Sequence, residues 1–134
     1  MTTPTAPDID WLLQTFATNT SGVRATLVTS HDGLLISQVN LAENASEVAD
    51  VLSALASGVY SLAKAAANTL QTESGVDQTL FQMGNTNLVI MEAGEGALLT
   101  VVSEPGADMG QLGYEMLLLT RQMPQNLTVP PRLT

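Results

Sequence analysis

Apolar residues recur along this chain every three to four positions in three stretches and as shorter alternating or continuous apolar runs in five others, and this change of pattern sets out the elements. Ile9, Leu12, Leu13 and Phe16, with Trp11 beside them, form one face of a helix expected from an N-cap at Asp8 to about Thr18 and ended by Asn19, Thr20, Ser21 and Gly22. Residues 23–30 and 34–39 are β-branched and roughly alternating, and His31-Asp32-Gly33 between them predicts a hairpin, because glycine takes positive φ without penalty. Residues 44–72 predict one long helix, opened at Asn44 or Ser46 with Glu47 in capping-box spacing from Asn44 and closed by Gly75. Along it Val48, Val51, Leu52, Leu55, Val59, Leu62, Ala66 and Leu70 make a narrow stripe expected to face the core. Burying its seven large members would contribute on the order of 10–20 kcal/mol before the entropy of ordering is subtracted.

The second half reads as a three-stranded meander and a closing helix. Residues 76–84, 88–93 and 97–103 are the strands, with turns at Asn85-Thr86-Asn87 and Gly94-Glu95-Gly96. L-V-I-M and A-L-L-T-V-V are apolar on both faces, so the last two strands should be central, with helices over both sides. The strand at 76–84 places Gln78 and Gln82 on one face and Thr79, Phe81 and Met83 on the other, and is expected at the sheet edge. It has no lysine or proline to block pairing with another strand, and Asp77 is its single charge. Asp108 caps a final helix whose stripe is Met109, Leu112, Met116, Leu119 and Met123, with Glu115 and Arg121 outside it and Pro124 as its stop. Met83 and Met91, like the helical methionines, are expected to fill the core.

The long helix leaves a face that needs explaining. Asp50, Ser53, Ser57, Tyr60, Ser61, Lys64 and Asn68 lie opposite its large apolar stripe, and two of these seven are charged. Ala54, Gly58 and Ala65 line one flank and Ala49, Ala56, Ala63 and Ala67 the other, which lets a second backbone come close. Alanine chosen for helix propensity alone also fits this pattern. Gly58 favours a covered face, since a glycine inside a helix costs about 1 kcal/mol against alanine.

Composition narrows the classes. The chain has 134 residues, enough for one domain that buries roughly two-thirds of its unfolded surface. Charged residues make up 13% of the chain against 45% hydrophobic, so the surface is poorly charged and suited to contacts with other proteins. Thirteen acids against four bases (Arg24, Lys64, Arg121 and Arg132) give a net charge of −9, which disfavours nucleic acid and anionic membranes. Cysteine is absent, which removes disulfides and thiolate metal sites and fits a cytoplasmic setting. The start M-T-T-P-T-A-P-D has no secretory pattern, and no apolar run is long enough to span a membrane.

Catalytic constellations are missing. No phosphate-cradling G-x-x-x-x-G-K-[ST], dinucleotide G-x-G-x-x-G or G-x-S-x-G elbow occurs, and Glu92, Glu95 and Glu104 are too scattered to act as a carboxylate pair. His31, the single histidine, sits at a turn where an exposed and inert role is expected. No catalytic, cofactor or metal residue is therefore assigned.

Three stretches, in order, carry a family resemblance. G-V-R-A-T-L-V-T-S-H-D-G-L-L-I-S at 22–37 resembles the opening hairpin of the Roadblock / dynein light chain family. A-S-G-V-Y-S-L-A-K at 56–64 is similar to the middle of its second helix, and G-Y-E-M-L-L-L-T-R at 113–121 to the last helix of its compact bacterial members. The resemblance covers about residues 8–124, with 1–7 expected as a flexible lead-in and 125–134 as a flexible tail. It implies an α/β sandwich of the α+β kind: a five-stranded antiparallel sheet in order 2-1-5-4-3, the long helix on one face and two helices on the other. It further implies a cytoplasmic homodimer that partners and regulates a small Ras-like GTPase in bacterial signalling without being an enzyme. The alternative it leaves open is a scaffold or adaptor that assembles other proteins without nucleotide-dependent regulation. Carried onto this chain, Asp50, Ser53, Ala54, Ser57, Gly58, Tyr60, Ser61, Lys64, Ala65 and Asn68 would serve dimer and GTPase contacts. Gln78, Thr79, Leu80, Phe81 and Gln82 would be the strand that pairs with a second copy.

Overall fold

Five strands close into one antiparallel sheet because the two hairpin-forming stretches each pair locally, and the first and last strands then meet at its centre. The computed structural model describes residues 8–41, 45–73, 75–94 and 96–124. Its elements are α1 (Ile9–Asn19), β1 (Val23–Ser30), β2 (Leu35–Val39), α2 (Ala45–Leu70), β3 (Thr79–Met83), β4 (Thr86–Glu92), β5 (Ala97–Ser103) and α3 (Met109–Gln122). The sheet order is β2-β1-β5-β4-β3, all neighbours antiparallel, as the resemblance implied. β5 is buried at every position, which explains its unbroken apolar run.

Two cores lie on opposite faces of this sheet. Leu13 and Phe16 of α1 and Leu112 and Met116 of α3 pack with Val28, Val89, Leu99 and Val101 on one face. Ala56 and Tyr60 of α2 pack with Ala25, Leu88, Ile90, Leu98 and Val102 on the other. The helix starts follow their caps: the Asp8 carboxylate accepts from the Asp10 amide, and that of Asp108 from the Gln111 backbone amide at 3.1 Å. The cap expected at Asn44 lies outside the described residues, as do the side chain of Ser46, residues 1–7 and residues 125–134.

Several expectations are corrected. β3 is shorter than residues 76–84, and β4 begins two residues earlier than expected, at Thr86. α2 ends at Leu70, where Gln71 takes φ +55° and breaks the helix before Gly75. Met83 is half exposed because it ends an edge strand, whereas Met91, Met116 and Met123 are buried.

The largest correction concerns the phase of α2. The face against the sheet consists of Ala49, Ser53, Ala56, Tyr60 and Ala67, all buried, while Val48, Val51, Leu55, Leu62 and Leu70 of the large stripe are exposed. Leu62 and Leu70 keep 73% and 75% of their surface. The sheet supplies the reason: Leu27, Leu88, Ile90 and Leu98 already fill the space beneath the helix, so small residues must face them.

Candidate functional site

On a helix of 3.6 residues per turn, the exposed row Val48, Val51, Leu55, Leu62 and Ala66 lies about a third of a turn from the buried row of α2. Leu52 and Val59 bridge the two rows and pack, with Val76 and Phe81, against the core under α2. The opposite flank of the helix is covered by the β1–β2 turn: a Cβ on Gly33 would stand 3.4 Å from the Ala54 Cα and the Ser57 Cβ. The apolar row thus faces away from that turn, toward the side of the molecule where Phe81 and β3 lie.

β3 is the end strand of the sheet, and among the described residues it pairs with β4 alone, through Thr79 to Ile90, Leu80 to Val89, Phe81 to Leu88 and Gln82 to Asn87. Phe81 turns toward α2, while Leu80, opposite Val89, turns toward the face of α1 and α3 and stays 40% exposed. Gln78 and Gln82 are exposed on either side of it. An open backbone edge and an exposed apolar helix flank therefore adjoin one another.

The residues singled out on α2 separate into two groups. Asp50, Ala54, Gly58, Ser61, Lys64, Ala65 and Asn68 are exposed, and Ser57 is partly buried beside Gly33. They form the polar outer surface of the helix. Ser53 and Tyr60 do not belong there: Ser53 is fully buried, its hydroxyl donating to the Ala49 carbonyl at 2.6 Å, and Tyr60 keeps 8% of its surface. Both turn to the sheet because they fall in the same turn phase as Ala49, Ala56 and Ala67. Gly58 has open space around the position of a Cβ, so nothing among the described residues requires a glycine there.

His31 is not an isolated turn residue. Its ring centre lies 5.1 Å from that of Tyr60, and its Nε2 is 3.9 Å from Glu92 Oε2. The Ser57 hydroxyl donates to the His31 carbonyl, the His31 amide donates to the Gly96 carbonyl at 2.9 Å, and the Tyr60 hydroxyl donates to Glu92. Burial, followed by the hydrogen bond to Glu92 and its negative charge, pushes the Tyr60 hydroxyl up to about 12. This cluster joins the β1–β2 turn, the middle of α2 and the end of β4. Sequence reading missed it because its members come from three separate elements, with Ser57 26 residues from His31 and Tyr60 32 from Glu92, and share no motif; an outward placement of Tyr60 also hid it.

Among the described residues, no three His, Asp or Glu side chains converge to hold a metal ion, and no helix is long and apolar enough to cross a membrane. What the geometry offers is surface: a free strand edge, an apolar flank beside it and a polar, small-residue helix top.

Comparison with known proteins gives the same architecture. Residues 9–103 match the family profile described as Roadblock/LC7 domain. The structure of a Roadblock/LC7 domain from Streptomyces avermitilis is 33% identical, aligns over 86% of this chain and 93% of its own, and superposes with a TM-score of 0.77. The gliding protein MglB from Thermus thermophilus shares the fold at 21% identity, with a TM-score of 0.71 over 84% of this chain and 82% of that one. MglB from Myxococcus xanthus does so at 15% identity and the same TM-score, over 85% and 89%. No curated protein matches the chain significantly.

Proposed function

We propose that this chain, which belongs to the Roadblock/LC7 domain family, acts as a non-enzymatic homodimer that regulates a small Ras-like GTPase in the cytoplasm. The observation that carries the reading is the adjacency of the exposed row Val48, Val51, Leu55 and Leu62 to the unpaired edge of β3. A second copy pairing its own β3 antiparallel to this edge would satisfy the free backbone groups of both strands. The same two-fold operation brings the apolar flank of each α2 toward its twin, which removes from water the large side chains that the fold alone leaves exposed.

This division assigns separate work to the two outer faces of α2. The apolar flank serves the twin. The polar top, with Asp50, Ala54, Ser57, Ser61, Lys64, Ala65 and Asn68, remains outward on the paired helices and supplies the surface for the GTPase, while Gly58, three residues after Leu55 and four before Leu62, borders the apolar flank and lets the twin helix come close. Low charge and small side chains let a partner's loops approach the helix backbone closely.

Any effect on hydrolysis comes from positioning the loops of the GTPase. An arginine finger is worth about 10³–10⁵ in rate, but exposed Arg24 lies on β1 and exposed Arg121 in the last turn of α3, away from the top of α2. The test is binding of the purified chain to a candidate GTPase loaded with GTP or GDP, followed by single-turnover hydrolysis with Arg24→Ala, Arg121→Ala and Arg132→Ala. Nucleotide-selective binding, with stimulation kept in all three variants, is expected. Equal binding of both nucleotide states would replace regulation with scaffolding, and loss of stimulation in any one variant would overturn positioning.

A further inference from the structure

Between α1 and α3, on the face of the sheet away from α2, runs a groove of about 230 Å³. Trp11 and Phe16 line one wall, Leu118 and Leu119 the other, and Glu115 and Gln122 lie on the α3 side. Trp11 keeps 60% of its surface although an indole buries 150–250 Å² when covered, and no other described element shields it. A groove walled by an exposed aromatic ring and leucines, with a carboxylate at its rim, has the chemistry that receives an extended proline-containing peptide ending in a base.

We infer that the groove between α1 and α3 is a docking site for such a peptide, and that residues 127–132 of this same chain, L-T-V-P-P-R, are its occupant.

Three observations select this occupant. The first is position. Gln122, in the last turn of α3, lines the groove, and the chain continues from Met123 and Pro124 directly beside it. From Gln122 back to Glu115 is two turns of helix, about 10 Å, whereas the eight residues 125–132 can span up to about 26–29 Å. The segment therefore has length to reverse direction and run along the groove.

The second is conformation. Two consecutive prolines fix their own φ, and the first biases Val129 toward the extended region, so the segment loses little backbone freedom on docking. Leu127 and Val129 supply apolar side chains for Phe16 and Leu118, and the proline rings a flat surface for the Trp11 indole. The third is charge. Glu115 is partly buried, with one carboxylate oxygen held by the Gln111 side-chain amide at 2.9 Å, and Arg132 is one of four bases in a chain of net charge −9. An arginine delivered to Glu115 forms a charge-assisted pair at the groove's rim.

Docking in this way would close the α1–α3 face, and a partner with a similar proline-containing segment would have to displace the chain's own. The inference does not depend on the GTPase or on dimerisation.

Trp11 is the chain's single tryptophan, so its fluorescence reports on the groove alone. The full-length chain is compared with Val129→Asp, Arg132→Glu, Glu115→Arg and the double variant Glu115→Arg/Arg132→Glu. Each single variant is expected to shift Trp11 emission to longer wavelength and raise its quenching by acrylamide, and the double variant to return toward the parent. A synthetic peptide of residues 125–134, added to the Val129→Asp chain, should reverse the shift saturably. The parent signal should also be independent of protein concentration. Identical emission and quenching in all forms would overturn the proposal. A parent signal that develops only as concentration rises would overturn it as well, by placing the segment in the groove of a second copy. Circular dichroism of each variant separates docking from loss of fold.

Discussion

The Tyr60 hydroxyl donates a hydrogen bond to the Glu92 carboxylate, tying the middle of α2 to the last residue of β4. Because the folded state holds the tyrosine proton up to about pH 12 while an unfolded tyrosine releases it near 10, the sign is fixed. Stability from this group is complete below pH 10 and is lost as pH rises from 10 to 12, by about 2–3 kcal/mol. Denaturant titrations between pH 8 and 12 should show this fall in the parent. Tyr60→Phe should start about 0.5–1.5 kcal/mol lower at pH 8 and lack this component of the fall; an equal loss in both chains would exclude Tyr60 as its source.

Most of the architecture was legible in the sequence because each strand and helix carries its own local signal. The Asp32-Gly33 turn, the caps at Asp8 and Asp108 and the doubly apolar run of β5 each act over a few residues, and the structure follows them. The orientation of α2 was not legible in the same way. The helix has two apolar rows, one large and one of alanines, and periodicity shows that rows exist without showing which one a filled sheet can accept. Leu88, Ile90 and Leu98 decide that question, and they follow α2 in the chain by tens of residues. Tyr60 and Ser53 were misplaced for this reason, and the exposed flank that now marks the proposed dimer surface went unseen. His31 illustrates the same limit, since its neighbours Tyr60 and Glu92 meet it only after the sheet has assembled.

Leu62→Glu and Gly58→Trp test the proposed dimer surface separately from the fold. Leu62 is 73% exposed and a Cβ at Gly58 meets nothing among the described residues, so both changes should leave monomer stability within about 0.5 kcal/mol. Sedimentation equilibrium should nevertheless show dimer dissociation for Leu62→Glu, which would bury a charge against the twin helix, and for Gly58→Trp, which would hold the helices apart. Unchanged dimers in both would move the interface elsewhere.

Gln82→Lys and Leu80→Lys probe the strand edge. Both positions are exposed on β3, and lysine on an edge strand opposes addition of another strand. Each variant is expected to weaken self-association at least tenfold, a loss of about 1.4 kcal/mol, while amide exchange within the β3–β4 ladder stays as in the parent. Exchange that quickens across β3 and β4 would show instead that the strand itself had come loose.

Gly22 joins the two ends of the α1–α3 face. Its carbonyl accepts from the Glu104 amide at 2.7 Å, and its φ of +91° lies where an L side chain is strained. A Cβ placed there would stand 2.7 Å from the Ala107 Cβ, closer than two carbons can approach. Gly22→Ala therefore meets two separate penalties, backbone strain and a clash with the segment that leads into α3. The expected loss is about 1–3 kcal/mol from strain alone, with the clash added to it. Ala107→Gly in the same chain removes the clash and leaves the strain, so the double variant should recover part of the stability and not all of it. Chemical denaturation of the parent, both single variants and the double variant measures the two parts. Full recovery would assign the requirement for glycine to space, and no recovery would assign it to backbone conformation.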